Sequence, residues 1–518
     1  MSATSHRFWK FIELSIDPYI AEYRYDTDAN VKSLKDKYSY LGKGEEASER
    51  FSIAGRIMGI RRHGKIFFAL LDDSTDVIQL VFRFDIVGEK NWQMVELLNV
   101  GDVVGVKGKP MRTLRGEFSL LVEELKILAI AWREYPEKWH GLADADKRYR
   151  MRYLDFMLNP KVRKAIMSMY RIEKSFRDFL NSRGFIEVHT PKLQPIYGGA
   201  LARPFTTKMY ALDRTVYLSI APETYLKRCI VGNFFKVYEI TVCFRNEDID
   251  AQHYPEFVQI EIYWAFADWK DMMKLVEEMV STAVKEVFGD YVVEIDKDGG
   301  KLELDFKPPW RRITLEDSIE LYGGVKIKGK SIEELIEVAK SLNIKIDDLR
   351  RGKIIEKIFE RTVVPNIIQP TFVMLYPRDI SPLARPYRED PNYAERFEVF
   401  IDRLEVGNGY SELNNPIVQY YFFKKEEELR IKLASKLGEE VEYHPLDKDY
   451  VRALEYGMPP TAGVGIGIYR LVMILAGLQS IKDVIPFTIV EQDEFHTIAD
   501  KHQDILNYYI EKLQLDKY

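Results

Sequence analysis

FFKVYEITVCFRNEDIDAQHYPEFVQIEIYWAFAD, residues 234–268, contains two runs in which apolar and polar side chains alternate, 234–247 and 257–268, with a polar segment between them. Alternation with period two marks a strand with one buried face, so the stretch reads as an antiparallel pair. The connection is longer than a hairpin needs, and over-long loops tend to carry function. Arg245 and Glu247 are two residues apart, as are Glu261 and Tyr263, and side chains at i and i+2 share a face. His253 and Phe257 approach the start of the returning strand. One sheet surface thereby collects a guanidinium, an imidazole, an aromatic ring and two carboxylates. Paired charges on an exposed hairpin would account for any one of them; the same chemistry recurring elsewhere in the chain argues for a site.

It recurs in RFEVFIDRLEVGNGYSELN (396–414), where Glu398 and Glu405 flank an apolar alternation and Glu405, Asn408, Tyr410 and Glu412 crowd around Gly407 and Gly409. Two neighbouring carboxylates on strands suit Mg2+, which takes a few carboxylates together with substrate phosphates. In TAGVGIGIYRLVMIL (461–475) a glycine-spaced strand opens into an apolar helix with a single cation, Arg470. An arginine in such surroundings is costly unless it meets an anion, and phosphate is a plausible one. Upstream, 162–185 carries Val162, Ile166, Met169, Ile172, Phe176 and Phe179 at helical steps, with Gly184 as the stop. Strands joined by helices and long loops, with antiparallel neighbours, make this large region α+β. One decoy lies within it. GVKIKGKS (324–331) satisfies the pattern of a phosphate-binding loop, but a helical pattern precedes it and Ser331 with Glu334 reads as a capping box.

Residues 51–131 change character, with five short β-branched runs separated by Gly- and Asp-rich breaks. Five strands in that length suggest a small closed barrel of the OB type. Arg61, Arg62, Lys65, Lys107, Lys109, Arg112 and Arg115 cluster in its connections. They are either solvated hairpin tips or a phosphate-contacting rim around a face carrying Phe68 and Gln79, as a single-stranded nucleic acid site requires. The 518 residues divide into a partly helical N-terminal extension (1–50), the barrel (51–131), a hinge (132–160) and the large domain (161–518) with a helical insertion at about 297–368.

The formal charge of −6, from 75 basic and 81 acidic residues, argues against a protein coated in nucleic acid but not against local basic patches. The most apolar tract, 461–478, is cut by Arg470, so no membrane span is expected. Cys229 and Cys243 cannot build a disulfide framework or a cysteine-rich metal site. With an N-terminus lacking the apolar core of a signal peptide, they point to a reducing, cytoplasmic setting.

YGGALARPF (197–205), FRNEDIDAQHYPEF (244–257), SPLARP (381–386), EVGNGYSELN (405–414) and PPTAGVGIGIYRL (459–471) resemble the signature stretches of lysyl-tRNA synthetases of class II. RGFIEVHTPKL (183–193) resembles the dimer-forming first motif of that class, while 54–81 and 138–160 are similar to the family's anticodon-binding OB domain and hinge. The resemblance implies an N-terminal OB-fold barrel followed by a class II catalytic domain, an antiparallel sheet flanked by helices. It implies a cytoplasmic homodimer that uses ATP and Mg2+ to join L-lysine to tRNA(Lys). Arg245 would bridge the lysine carboxylate and the α-phosphate, helped by Asn408. Phe257 and Arg470 would sandwich adenine, Arg470 also reaching the γ-phosphate. Glu247 would read the adenine amino group, His253 would touch phosphate, and Glu398 and Glu405 would hold magnesium. Glu412 with Tyr263 would take the ε-ammonium, and Glu223, Glu261 and the backbone at Gly199 the α-amino group, with Tyr410 in the same pocket. In the barrel, Phe68 would stack on an anticodon base, Gln79 would read one with Glu117 nearby, and Arg61 and Arg62 would bind backbone phosphate. The chain departs from the family pattern at Asp248, Gln252, Tyr254 and Tyr469. Other readings are a paralogue that lysylates a protein, a non-catalytic RNA-binding relative, or an aspartate-type synthetase, for which Glu412 and Glu261 carry the wrong charge.

Overall fold

Contacts along the chain separate it into two units, Met1–Ala143 with Glu491–Tyr518, and Asp144–Val490. The structure is a computed structural model and describes residues 3–19, 22–135, 144–297, 299–437, 444–490 and 497–517. Residues 136–143 of the expected hinge lie outside the described residues.

In the first unit, strands Phe51–His63, Ile66–Asp72, Val77–Arg83, Phe118–Ala129 and Val103–Arg112 close into a barrel in that spatial order. Alternation does the work: Phe67, Ala69 and Leu71 turn into the barrel while Phe68 and Leu70 face out. A helix, Phe84–Leu97, joins strand Val77–Arg83 to strand Val103–Arg112 and was not expected from the sequence. Gly88, at φ 74°, breaks it into two short pieces, which blurs the helical period. Residues 1–50 are more than an extension. Phe8 and Phe11 of helix Ala3–Glu13 and Val31 and Leu34 of helix Val31–Lys37 are buried in the barrel unit's core.

The large-domain expectation of 161–518 is corrected at both ends. Helices Ala145–Arg150 and Arg152–Leu158 fold with the larger unit, because the fully buried Arg152 pairs with Asp155 at 2.5 Å and donates to the Ile485 carbonyl at 3.1 Å. Helix Gln503–Leu513 instead joins the barrel unit. Its Ile505 enters that core, its Tyr508 ring lies 5.7 Å from Phe8 and 5.5 Å from Trp9, and the Tyr508 hydroxyl donates to Asp17 at 3.0 Å.

The larger unit is built on an eight-stranded sheet ordered Arg311–Thr314, Thr371–Met374, Arg396–Ile401, Leu404–Ser411, Thr461–Gly467, Glu256–Ala265, Lys236–Phe244, Ile186–Glu187. Only the two outermost pairings are parallel. Ala462, Val464 and Ile466 share a core with helices Pro160–Ser182 and Trp269–Phe288. The insertion is more than helical: hairpin Val292–Lys297 and Gly300–Asp305 begins before it and strand Arg311–Thr314 extends the sheet. Helices Leu315–Gly323, Ile332–Ser341 and Arg351–Thr362 then build a separate core around Leu335, Ile355 and Phe359. The decoy loop follows a helix, and Ser331 and Glu334 form the capping box of the next one. No helix among the described residues is long and apolar enough to cross a membrane.

Tyr508→Ala removes a ring and a hydrogen bond from the seam between the two chain ends. It should lower the stability of the barrel unit by on the order of 2 kcal/mol. Calorimetric unfolding of the full chain checks this, and an unchanged transition would show that the terminal helix does not brace that unit.

Candidate active site

The central strand Thr461–Gly467 reads T-A-G-V-G-I-G, so its core face is Ala462, Val464 and Ile466 and its other face is glycine. On that face Gly463, Gly465 and Gly467 stand opposite Tyr263, Glu261 and Gln259 on one neighbour, and Gly463 and Gly465 stand opposite Tyr410 and Asn408 on the other. Three positions without side chains leave a trough. Above it lies a cavity of about 430 Å3 lined by residues of Glu256–Ala265, Leu404–Ser411, Thr461–Gly467 and the loop 245–255. A Cβ on Gly463 would lie 2.3 Å from Glu412 Oε1 and 2.4 Å from the Tyr263 ring, so glycine there is required by close approach.

Glu405 and Asn408 are three residues apart and would point to opposite faces of a regular strand. A bulge resolves this. Val399 pairs with Gly407 and Phe400 with Glu405, which leaves Val406 as the extra residue and brings Glu405 round to the cavity beside Asn408 and Tyr410.

The structure brings Gly199, Glu223, Arg245, Glu247, His253, Phe257, Glu261, Tyr263, Glu405, Asn408, Tyr410 and Arg470 to this one cavity. The Arg245 guanidinium stacks on Phe257 at 4.9 Å, and its buried Nε has no hydrogen-bond partner, an open donor at a place suited to an anion. Arg470 is held by the Glu405 carbonyl at 3.0 Å, with the Glu405 carboxylate at 3.6 Å. His253 is exposed, and its Nδ1 lies 2.8 Å from Asp250 in a turn closed by the same carboxylate. Tyr254 and Tyr469, two of the departures from the family pattern, are largely buried against the core and also line the cavity.

Glu398 and Glu412 sit deeper, beneath the lining. Glu398 accepts from the Tyr376 hydroxyl at 2.7 Å and from Arg396 at 2.6 Å, while Arg396 Nε donates to Asn408 at 3.1 Å. Burial, opposed by Arg396 and reinforced by Glu405, holds the Glu398 carboxyl above its ordinary range. Among the described residues no group of three or more ligand side chains forms a metal centre. The donor set is two mutually repelling carboxylates, which is short of a full protein cage but fits a magnesium ion that also takes phosphate oxygens.

At the other end of the trough lies an acidic cluster. Glu261 accepts from Gln259 at 2.7 Å and from Tyr263 at 3.0 Å, and Tyr410 donates to Glu223 at 2.7 Å. Burial, reinforced by the Glu223 carboxylate, pushes Glu261 up to about 8. Lys227, fully buried, makes ion pairs with both Glu223 and Glu412. Burial drives Glu412 above its ordinary range and Lys227 opposes this. Lys227 was not among the residues picked from the sequence, and neither was Arg396. Their signals were an i, i+4 acid–base pair in ETYLK (223–227) and an arginine two residues before Glu398 on an alternating strand.

On the barrel, Arg61 stacks on Phe68 at 5.0 Å, and Gln79, on the same outer face, donates to Ser119 at 2.9 Å. Glu117 is exposed and its carbonyl accepts from Ser119. Arg62 points the other way, toward Phe67 and the Glu96 carbonyl, because adjacent strand residues face opposite sides. It does not join the Phe68 face.

Residues 144–491 match the family described as tRNA synthetases class II (D, K and N), and residues 51–128 match the OB-fold nucleic acid binding domain. A lysine–tRNA ligase of Syntrophomonas wolfei is 45% identical over 477 residues, 92% of this chain and 93% of that protein. One of Moorella thermoacetica is 43% identical over 496 residues, 95% and 98% of the two chains. One of Saccharolobus solfataricus is 43% identical over 481 residues, 92% and 94%.

Glu261 links this site to stability. Its folded pKa lies above its unfolded one, so between about pH 4.5 and 8 the unfolded chain has lost a proton that the folded chain keeps, and stability falls as pH rises through that window. Glu261→Gln removes the effect. Without ligands, its stability relative to the unsubstituted chain should increase from pH 5 to pH 8 by on the order of a few kcal/mol. Denaturant titrations at the two pH values measure it, and a constant difference would place the Glu261 proton elsewhere.

Proposed function

Because the chain belongs to the class II tRNA synthetases and, within them, to the lysine–tRNA ligases, we propose that it activates L-lysine with ATP and passes the lysyl group to the 3′ end of tRNA(Lys). The observation that carries this is the trough itself: buried carboxylates at one end, at Glu223, Glu261 and Glu412, and an arginine with an open donor at the other. A long diamine with a carboxylate at one end matches that polarity.

A lysine carboxylate is already ionised at neutral pH, so adenylate formation needs no general base. A carboxylate oxygen bonds to the α-phosphorus and pyrophosphate leaves, and the protein's part is alignment and charge stabilisation. Arg245 takes the carboxylate and α-phosphate, with Asn408 steadying the former. Phe257 and Arg470 offer a ring and a guanidinium to adenine, and Glu247 accepts from its amino group. Arg470 also lies at the phosphate end, and His253, on the exposed loop, touches phosphate. Glu398 and Glu405 would hold magnesium, which neutralises phosphate charge when bound. Glu412 and Tyr263 receive the ε-ammonium; Glu223, Glu261 and the Gly199 backbone receive the α-amino group, with Tyr410 holding Glu223.

On the barrel, Phe68 with Arg61 forms a stacking platform for an anticodon base, with Gln79 and Glu117 beside it. Arg62 contributes charge to the neighbouring surface rather than to that platform. The barrel favours tRNA over a protein acceptor. A cytoplasmic homodimer completes the proposal. Ile186 and Leu193, both 50% exposed in the stretch 183–193, together with Met167 and Tyr170 on the preceding helix, support the pairing surface.

Lysine-dependent ATP–pyrophosphate exchange tests the first step and charging of tRNA(Lys) the second. Glu412→Gln should raise KM for lysine by on the order of tenfold to a hundredfold with little change for ATP. Equal losses for both substrates would overturn the Glu412 assignment, and no exchange in the unsubstituted chain would overturn the function.

A further inference from the structure

Lys227, at the acidic end of the trough, has no part in the scheme above. It is fully buried on helix Glu223–Val231, one turn after Glu223. From its own helix it meets Glu223, and from strand Leu404–Ser411 and the residue after it come Tyr410, whose ring is 5.5 Å away, and Glu412. Strand Glu256–Ala265 brings Glu261 and Tyr263 to the same cluster. Helix Lys448–Glu455 brings Tyr450, whose ring is 6.0 Å away, and the segment before it brings the buried His444. Burial and the nearby ammonium hold His444 down at about 4, so it is neutral and cannot substitute for the cation. Glu239, across the strand pair from Glu261, is matched separately by Lys192 at 2.7 Å.

The charges can then be counted. Glu223, Glu261 and Glu412 supply three carboxyl groups and Lys227 one ammonium, so once Glu261 gives up the proton that it keeps in the empty pocket, the cluster is short by two positive charges. A free lysine carries two ammonium groups, and its carboxylate has Arg245. We propose that Lys227 is a specificity-determining positioning residue: its ammonium, shared by Glu223 and Glu412, holds both carboxylates in place and sets the pocket's charge at the value that the two ammonium groups of one lysine balance. The inference rests on the lysine reading of the site and extends it.

Removing that cation leaves three buried carboxylates with none. Like charges at such range cannot all ionise, so the empty pocket takes up one proton more than the Glu261 proton of the unsubstituted chain, and lysine must displace it in order to bind. In Lys227→Met, lysine affinity at pH 7 should fall by at least about tenfold, the value of one pKa unit. The gap to the unsubstituted enzyme should narrow as pH rises from 6 to 7.5, because the extra proton becomes easier to displace while both ammonium groups of free lysine stay largely protonated. Affinity for ATP should be unchanged. Lys227→Arg, which keeps the cation, should follow the unsubstituted pH profile. Where Lys227→Met does not fold, Lys227→Gln is read on the same profile. Lysine and ATP titrations by calorimetry between pH 6 and 7.5 measure all of these. A deficit that is the same at every pH, or no deficit, overturns the proposal. An unsubstituted chain that binds ATP but not lysine overturns the functional reading and this assignment with it.

Discussion

The site exists because one face of a central strand has no side chains. Gly463, Gly465 and Gly467 alternate with Ala462, Val464 and Ile466, so the same seven residues close a core on one side and open a trough on the other. Each glycine costs conformational entropy and contributes no packing of its own, and the sheet tolerates this because the strand is paired along both edges. In return, side chains from the two flanking strands converge over bare backbone. Tyr263 and Glu412 come so close to Gly463 that a single methyl group there would displace one of them.

That geometry creates an electrostatic problem. Three carboxylates are brought out of water into a small volume, and burying charge is expensive unless it is paired. The chain meets part of the cost internally: Lys227 shares itself between Glu223 and Glu412, Tyr410 donates to Glu223, and Gln259 and Tyr263 donate to Glu261. The rest is left unmet, which is why Glu261 retains its proton to about pH 8. At the opposite end Arg245 keeps an open donor, and Arg470 lies half-buried against the Glu405 carboxylate. The two ends together form a template for a molecule that is cationic at one end and anionic at the other.

Much of this was legible in the sequence. Alternation around residues 234–268 gave both strands of the hairpin, and the i, i+2 rule placed Glu261 with Tyr263 correctly. Glu405 and Asn408 were read together from the sequence, but spacing alone does not explain why, because the backbone between them is irregular. The bulge at Val406 rotates Glu405 onto the face of Asn408, which a count of residues assigns to opposite sides. Arg61 and Arg62 looked like one basic rim, yet adjacent positions on a strand diverge, and only Arg61 reaches Phe68. The tail at 503–513 had a helical pattern but no local sign of its partner. Its aromatic face answers to Phe8, Trp9 and Asp17, nearly five hundred residues away along the chain.

Local pattern by itself determined the barrel strands, the α+β character of the large unit, the capping box that disqualifies the phosphate-loop motif, and most of the polar residues of the site. These depend on interactions between neighbours in sequence, which periodicity records. Only the tertiary structure decided that Lys227 is an ion-pair partner in the acidic cluster rather than a surface lysine, that Glu398 and Glu412 lie beneath the cavity wall, and that the two chain ends fold together. Those outcomes depend on burial and on contacts between distant segments, and the charge carried by a buried group is set by what surrounds it in space, not by its neighbours along the chain.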